Sequence, residues 1–173
     1  MSSQQEIKAA FERSAKALSL KPSVGLGTGT SKTRIVNGLS CKVTEGEYEL
    51  AVDMPPGIGG NASAPKPGVY GRAALGSCLA IGYMLYASKM DIVIDELEVE
   101  IQTDYNDAAL LGVGNVRPGY QEVRYMVTIT SDAATEDLTR MLDEADQHSP
   151  YLNIFRREQK CVRTVHILSA KRS

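Results

Sequence analysis

The sequence predicts an α+β fold with a largely antiparallel sheet. Three observations support this prediction: a helical pattern opens the chain, strand patterns cluster before and after residue 70, and one long helical segment separates the two clusters. Doubly wound α/β folds alternate strands with helices, and this chain has too few helices for that arrangement. Its 173 residues suffice to bury the core of one domain, so we expect a single domain over residues 1–173.

The first third of the chain combines one helix with several short strands. Apolar residues recur at helical spacing over residues 4–19, and Pro22 ends the predicted helix. Alternation of apolar and polar residues then predicts strands at residues 33–36, 40–44 and 47–53. The Asn-Gly and Glu-Gly pairs between these segments are typical of hairpin turns.

A loop and a long helix occupy the middle of the chain. Residues 55–68 contain so many prolines and glycines that no regular element fits them. From about residue 69 to residue 89 the sequence predicts a helix that is apolar nearly all round, which we expect at the centre of the fold. Its predicted apolar stripe consists of Ala74, Cys78, Ile81 and Leu85.

Two strands, a helix and a last strand complete the predicted order. Apolar residues alternate with polar ones over residues 96–101 and 123–130, so each strand presents one apolar face. The inner stripe of the next helix is predicted to consist of Leu138, Met141, Leu142 and Ala145. Residues 161–168 form the last predicted strand.

Composition and charge argue against two classes of partner. Nineteen Lys and Arg against 21 Asp and Glu give a formal net charge of −2, without the basic excess of nucleic-acid-binding surfaces. The longest uncharged stretch, residues 73–87, is shorter than the ~20 apolar residues of a membrane span. Residues 1–12 lack the apolar core of a signal peptide. We therefore expect no nucleic acid, no membrane and a cytoplasmic location.

The cysteines and histidines are few and far apart. The three cysteines, Cys41, Cys78 and Cys161, include no Cys-x-x-Cys pair, and His148 and His166 are the two histidines. These counts predict neither a disulfide framework nor a zinc site, and we expect no metal and no cofactor.

Cys78 has two interpretations because it lies on a predicted apolar helix. Such a thiol most often packs as a small apolar side chain. The alternative is a nucleophilic thiolate, which needs partial access to solvent and a nearby cation or helix N-terminus. His148, at the end of a predicted helix, has a simple explanation too, since a cation there complements the helix dipole.

Three short segments of the chain carry a recognisable combination of motifs. The first is the strand and loop at residues 50–60, and the second is the predicted helix at residues 67–80, which contains Cys78. The third is residues 148–156, HSPYLNIFR. Together they resemble the OsmC/Ohr family of osmotically inducible protein C and organic hydroperoxide resistance proteins, whose helix contains a reactive cysteine and whose later region reads H-x-C-P-Y-S-N-A-x-R. The order of predicted elements agrees, with residues 1–20 as an N-terminal helical extension present in only some members.

This resemblance implies a fold, an assembly and an activity. The fold is a mostly antiparallel sheet wrapped around central helices, in an intertwined homodimer with two sites at the subunit interface. The activity is a peroxidase reaction in which a cysteine attacks an organic hydroperoxide and becomes a sulfenic acid. A second cysteine then condenses with it to a disulfide that an external dithiol reduces. An Arg and a Glu hold and activate the thiolate.

Carried over by position, the family's site is incomplete in this chain. The peroxide-reacting cysteine falls on Cys78, but the resolving cysteine falls on Ser149, which has no redox chemistry. The activating Glu, ten residues before the cysteine, falls on Gly68. The activating Arg falls near Asn37, and Arg34 is the nearest substitute.

These departures leave two main functions open. One is a one-cysteine, thiol-dependent reductase of organic hydroperoxides in oxidative stress defence, with an external dithiol or Cys161 completing the cycle and His148 as a further supporting candidate. The alternative is a non-peroxidatic family member that binds a small apolar or electrophilic ligand at the dimer interface. A structural dimerisation module without a small-molecule site is a third interpretation.

Overall fold

The structure, a computed structural model, describes residues 3–169 and confirms the α+β class. Residues 1–2 and 170–173 of the expected single domain lie outside this description. Short 3-10 turns lie at Pro22–Gly25, Pro56–Ile58 and Asp107–Ala109. The longer elements are, in order, α1 (Gln4–Leu20), β1 (Lys32–Asn37), β2 (Ser40–Glu45), β3 (Tyr48–Val52), α2 (Pro67–Lys89), β4 (Glu96–Tyr105), β5 (Tyr120–Thr130), α3 (Thr135–Gln147) and α4 (Pro150–Arg156).

Helix α1 begins with a capping box and packs against α2. The Ser3 hydroxyl accepts the Glu6 N–H, and the Glu6 carboxylate accepts the Ser3 N–H at 2.7 Å, which satisfies two backbone donors at the helix start. Phe11 meets Tyr86 of α2 edge to face, with ring centroids 5.8 Å apart. The predicted N-terminal helix is therefore confirmed, and it lies along the outside of α2.

Strands pair into two separate antiparallel sheets. One has the order β1-β2-β3 and the other joins β4 to β5, and no strand of the described chain bridges them. In the first sheet Cys41 lies opposite both Ile35 and Val52, so these residues share one face. That face is largely uncovered, because Ile35 is 58% and Leu50 48% exposed. The predicted half-buried third strand therefore gains little burial within the single chain.

The core forms where α2 crosses the β4–β5 hairpin and α3. Its centre on α2 is a row of residues four apart, all nearly or fully inaccessible: Leu75, Leu79, Tyr83 and Ala87. The stripe predicted for α2 is therefore wrong, and Ile81 of that stripe is 62% exposed. A helix that is apolar on every side does not indicate by spacing which side its neighbours cover. The predicted inner stripe of α3 is confirmed, with Met141 and Ala145 buried.

Beyond α4 the chain continues without regular structure to residue 169. The prediction of a strand at residues 161–168 is wrong, since these residues form no regular element although they contain the apolar residues typical of a strand. Val162 is 79% and Ile167 91% exposed, and a strand requires a neighbour to accept its backbone hydrogen bonds. Within residues 3–169 no helix is both long and apolar enough to span a bilayer.

Candidate functional site

Cys78 and Ser149 face each other between α2 and the start of α4. Cys78 lies in the middle of α2 and is half-buried, and its Sγ is 3.6 Å from the Oγ of Ser149. Ser149 is only 7% exposed and begins α4, where its Oγ accepts the Leu152 N–H at 3.4 Å. Because that bond uses an oxygen lone pair, the hydroxyl hydrogen remains free to point at the sulfur. The Ser149 hydroxyl is thus the hydrogen-bonding partner of the Cys78 thiol.

A partly buried hydrogen-bond network holds the end of α3 that precedes Ser149. The Asp146 carboxylate accepts the Tyr83 hydroxyl at 2.7 Å and the Tyr125 hydroxyl at 2.5 Å. Burial, reinforced by the Asp146 carboxylate, raises the pKa of Tyr83 and raises the pKa of Tyr125 to about 12. Both phenols therefore keep their protons at neutral pH. Three elements, α2, β5 and α3, are joined through one carboxylate, three residues before Ser149.

His148 contacts other groups than the thiol. Its Nδ1 donates to the Glu144 carbonyl oxygen at 2.8 Å, since a carbonyl can only accept. Its ring stacks on Tyr86 with centroids 5.6 Å apart. The side chain is exposed, and these contacts join the end of α3 to the last turns of α2 without any hydrogen bond to Cys78.

Arg34 and Asn37 are exposed on β1, in the sheet that stands apart from β4 and β5. Arg34 lies opposite Lys42, and Asn37 lies opposite Ser40. Among residues 3–169 neither forms a hydrogen bond or ion pair with Cys78. The isolated chain therefore supplies no cationic partner to the thiol from this strand.

Gly68 lies in the first turn of α2, about 15 Å along the helix axis from Cys78. It lines a cavity of about 520 Å³ together with Lys66 and Arg72. A Cβ at this position would lie 3.6 Å from Nη1 of Arg72 and 3.8 Å from the Tyr120 hydroxyl, which is ordinary contact. The absence of a side chain at residue 68 thus leaves the Arg72 guanidinium open to the cavity.

No sequence motif marks Lys66, Arg72, Tyr105 and Tyr120 as a group. They come from the loop before α2, from α2 itself and from the two strands of the hairpin. No spacing in the sequence brings such elements together. The available signal was a pair of cations, at residues 66 and 72, in a segment otherwise composed of small and apolar residues.

A buried carboxylate organises the loop that closes one side of this cavity. Asp53 is 1% exposed and accepts four hydrogen bonds, from the Met54, Asn61 and Ser63 N–H groups and the Ser63 hydroxyl, at 2.7–3.2 Å. The hydrogen bonds from Ser63 above all hold the pKa of Asp53 well below its usual range. This loop carries Met54 and Ile58 to the cavity wall. Asp53 was not among the site residues predicted from the sequence.

All three cysteines are free thiols. Cys41 is half-buried on β2, and Cys161 is exposed beyond α4. No disulfide connects either of them to Cys78. In the part of the chain that the structure describes, no three His, Cys, Asp or Glu side chains cluster as metal ligands would.

Comparison with known proteins identifies the family. Residues 59–162 match the model of the OsmC-like protein family. An OsmC-like protein from Mycoplasma pneumoniae has the same fold, with a TM-score of 0.63 at 15% identity over 75% of this chain and 88% of that one. No curated protein sequence matches the chain.

Two structures of organic hydroperoxide resistance proteins also share the fold. The protein from Legionella pneumophila has a TM-score of 0.58 at 19% identity, covering 76% of this chain and 90% of that one. The protein from Elizabethkingia anophelis has a TM-score of 0.59 at 23% identity, covering 76% and 89%. The family model matches more than half of the residues of this chain, and the chain therefore belongs to the OsmC-like protein family.

Proposed function

We propose that this protein reduces organic hydroperoxides at Cys78 and uses an external dithiol as reductant. The observation that supports this proposal is the half-buried Cys78 thiol with the Ser149 hydroxyl 3.6 Å from its sulfur. A hydroxyl that donates to sulfur stabilises the negative charge of an attacking thiolate. Proteins of the same fold from two bacteria carry the name organic hydroperoxide resistance protein.

The proposed cycle has three balanced steps. The Cys78 thiolate attacks the terminal oxygen of the hydroperoxide, the O–O bond breaks, and the alkoxide leaves and takes up a proton to become an alcohol. In this step the Cys78 sulfur loses two electrons to the peroxide and becomes a sulfenic acid. A thiol of the external dithiol then forms a mixed disulfide and releases water, and its second thiol displaces Cys78. Each turnover converts one hydroperoxide and one dithiol to an alcohol, water and a cyclic disulfide.

An external reductant is required because the nearest polar neighbour of Cys78 is an alcohol. The Ser149 oxygen cannot form a disulfide, so it can hold the thiolate but cannot resolve the sulfenic acid. Cys161 is exposed in a segment without regular structure, and we assign it no role in the cycle. The same applies to Cys41 on β2.

We also propose that the protein works as a homodimer in a reducing, cytoplasmic environment, as one domain over residues 1–173. The apolar face of β1–β3 is uncovered, with Ile35 58%, Tyr48 70% and Leu50 48% exposed. A second copy is the cover that we propose for this face. Such an arrangement would bring a partner's β1, which carries Arg34 and Asn37, against another part of the molecule. Three free thiols suit a reducing compartment.

The test measures consumption of cumene hydroperoxide with dithiothreitol as reductant. We expect turnover by the natural protein and by the matched cysteine controls Cys41→Ser and Cys161→Ser. Cys78→Ser should reduce the rate to that of dithiothreitol alone. Mass spectrometry after trapping with dimedone should locate the sulfenic acid on Cys78. Equal rates for Cys78→Ser and the natural protein would refute the proposed reaction.

Ligand binding without peroxide chemistry is the second candidate function. It is favoured by the serine at position 149, by the glycine at position 68 and by the cavity beside that glycine, which is lined mainly by apolar residues. It predicts slow peroxide turnover together with a rise in melting temperature when an apolar ligand is added. Fast turnover without any such rise would count against it.

A further inference from the structure

The cavity at the start of α2 contains two cations that form no ion pair with a residue of the described chain. Lys66 and Arg72 both line it, and among residues 3–169 no carboxylate oxygen lies within 4.0 Å of either side-chain nitrogen group. Lys66 donates to the Tyr105 hydroxyl at 2.9 Å, and Arg72 donates to the Thr103 hydroxyl at 3.4 Å. Asp107 also lines the cavity, but it is exposed and forms no ion pair.

The positive charges of Lys66 and Arg72 repel each other, and this repulsion favours an anion in the cavity. The Tyr105 hydroxyl above all raises the pKa of Lys66 and the charge of Asp107 adds to that rise, while burial and the charge of Arg72 oppose it. Both side chains are half-buried, so each cation has lost part of its hydration. Two like charges that face one cavity from half-buried positions are stabilised when an anion lies between them.

A third polar group points to the same spot. The Tyr120 hydroxyl forms no hydrogen bond with another residue of the described chain, and it lies 3.3 Å from where a Cβ of Gly71 would be. Its ring is fixed by stacking on Phe155, with centroids 6.1 Å apart. The hydroxyl and the Arg72 guanidinium therefore converge beside Gly68, where neither meets a side chain of that residue.

Most of the remaining cavity wall is apolar. Its side chains are Leu39, Met54, Ile58, Ala109, Leu110 and Pro118, and the exposed Asn106 and Asp107 form a polar margin beside them. A volume of about 520 Å³ is within the range of small-molecule sites and excludes large polymers. An anionic head with a short apolar tail matches both halves of this lining.

We propose that this cavity binds a small amphipathic monocarboxylate, whose carboxylate lies between Arg72, Lys66 and the Tyr120 hydroxyl. Its apolar tail lies against the wall formed by the loop before α2 and the β4–β5 connection. This inference gives a ligand class to the second candidate function and does not depend on peroxide chemistry at Cys78. Arg72 fixes the orientation of the ligand, since a guanidinium can donate two parallel hydrogen bonds to one carboxylate.

The experiment compares octanoate with 1-octanol by isothermal titration calorimetry on the full-length protein. Both have the same tail, and only octanoate carries a charge. We expect octanoate to bind at least about tenfold more tightly than 1-octanol, because its carboxylate accepts charge-assisted hydrogen bonds. The affinity for octanoate should fall as the salt concentration is raised. Equal affinities would overturn the carboxylate assignment and leave only an apolar cavity. No binding of either compound would overturn ligand binding here altogether.

Two variants test the head-group contacts. Arg72→Gln should weaken octanoate binding about tenfold and leave 1-octanol unchanged, and an unchanged octanoate affinity would refute the proposal. Gly68→Glu should place a tethered carboxylate beside Arg72 and compete with octanoate, whereas Gly68→Gln adds similar bulk without charge and should retain more affinity. Equal losses in the two Gly68 variants would also count against the proposal. Cys78→Ser should bind octanoate normally, which separates this test from that of the peroxidase reaction.

Discussion

The Sγ of Cys78 and the Oγ of Ser149 lie 3.6 Å apart, although 71 positions separate the two residues in the chain. Ser149→Cys would therefore place a second sulfur next to the first, within a small side-chain movement of the ~2.05 Å disulfide bond length. We expect one equivalent of cumene hydroperoxide to convert this variant to an internal disulfide. Mass spectrometry of the non-reduced protein, cleaved by trypsin, should show the crosslinked peptides.

Ser149→Ala is the matched control for that variant, because it removes the hydroxyl without adding a thiol. We expect it to form no internal crosslink and to react with hydroperoxide several-fold more slowly than the natural protein, since one hydrogen bond to a charged group is lost. Oxidation of Ser149→Cys to sulfinic acid, with no disulfide, would contradict the geometry proposed for the site.

The buried carboxylate of Asp53 gives the protein a specific dependence of stability on pH. Its pKa is held below the usual range chiefly by the hydrogen bonds from Ser63, whereas in the unfolded chain it is ~3.9. Its contribution to stability is therefore complete above about pH 5 and declines as the pH falls through 4 towards the lower folded value.

Asp53→Asn should thus be less stable than the natural protein at pH 7, and the difference should shrink at pH 3. Urea unfolding at both pH values measures this. Asp107→Asn, at an exposed position outside any ion pair, is the control and should change the free energy of unfolding little at either pH. A constant difference between Asp53→Asn and the natural protein would exclude the proposed role of the charge.

The order of elements as far as α3 and the place of Cys78 on α2 could be predicted from the sequence, whereas the covered face of α2 and the helix α4 in place of a last strand could not. Strand alternation at residues 96–101 and the apolar stripe of α3 each reflect burial on one side only, so their periodicity is informative. Helix α2 is apolar all round, so the sequence favoured a stripe through Ile81 when the buried one runs through Leu79. The elements that cover one side of α2, namely β4, β5 and α3, lie far from it in the sequence, so its own pattern does not show which side is buried.

The candidate site was predictable only where the chain retains a local pattern. Cys78 and Ser149 lie in two short motifs, and the structure brings them together. The Arg72 and Tyr120 pair has no motif, since their convergence depends on how α2 crosses the hairpin. Residues 161–168 have the sequence pattern of a strand but no partner strand in the described chain. The pattern of one segment does not show whether another strand lies beside it.

Burial together with the Asp146 carboxylate should make two tyrosines titrate abnormally, and their hydrogen bonds to Asp146 should stabilise the protein. Tyr83→Phe and Tyr125→Phe each remove one partly buried hydrogen bond to Asp146, and each should lower the free energy of unfolding by about 1 kcal/mol. The double variant should cost more than their sum, because Asp146 then loses both phenol partners. Denaturant unfolding of the two single variants and the double variant measures this coupling, and strict additivity would argue against a shared network.

The same network predicts a loss of stability at high pH. Burial and Asp146 raise the pKa of Tyr125 to about 12, above the ~10 of an unfolded tyrosine. Its contribution is therefore complete below pH 10 and is lost as the pH rises towards 12. An ultraviolet titration should show one fewer late-ionising phenol in Tyr125→Phe, and an unchanged titration would contradict this assignment.

The uncovered apolar face of β1–β3 predicts how the proposed homodimer can be separated. Leu50 is 48% exposed in the single chain and lies opposite Val43 on that face. Leu50→Glu should weaken dimerisation at least about 100-fold, because it removes apolar contact and buries an unpaired carboxylate. Lys32→Glu reverses a charge on the opposite face of the same sheet and should leave the dimer intact. Sedimentation equilibrium of the three proteins decides the matter, since a monomeric natural protein or a dimeric Leu50→Glu variant would each show that this face is not the interface.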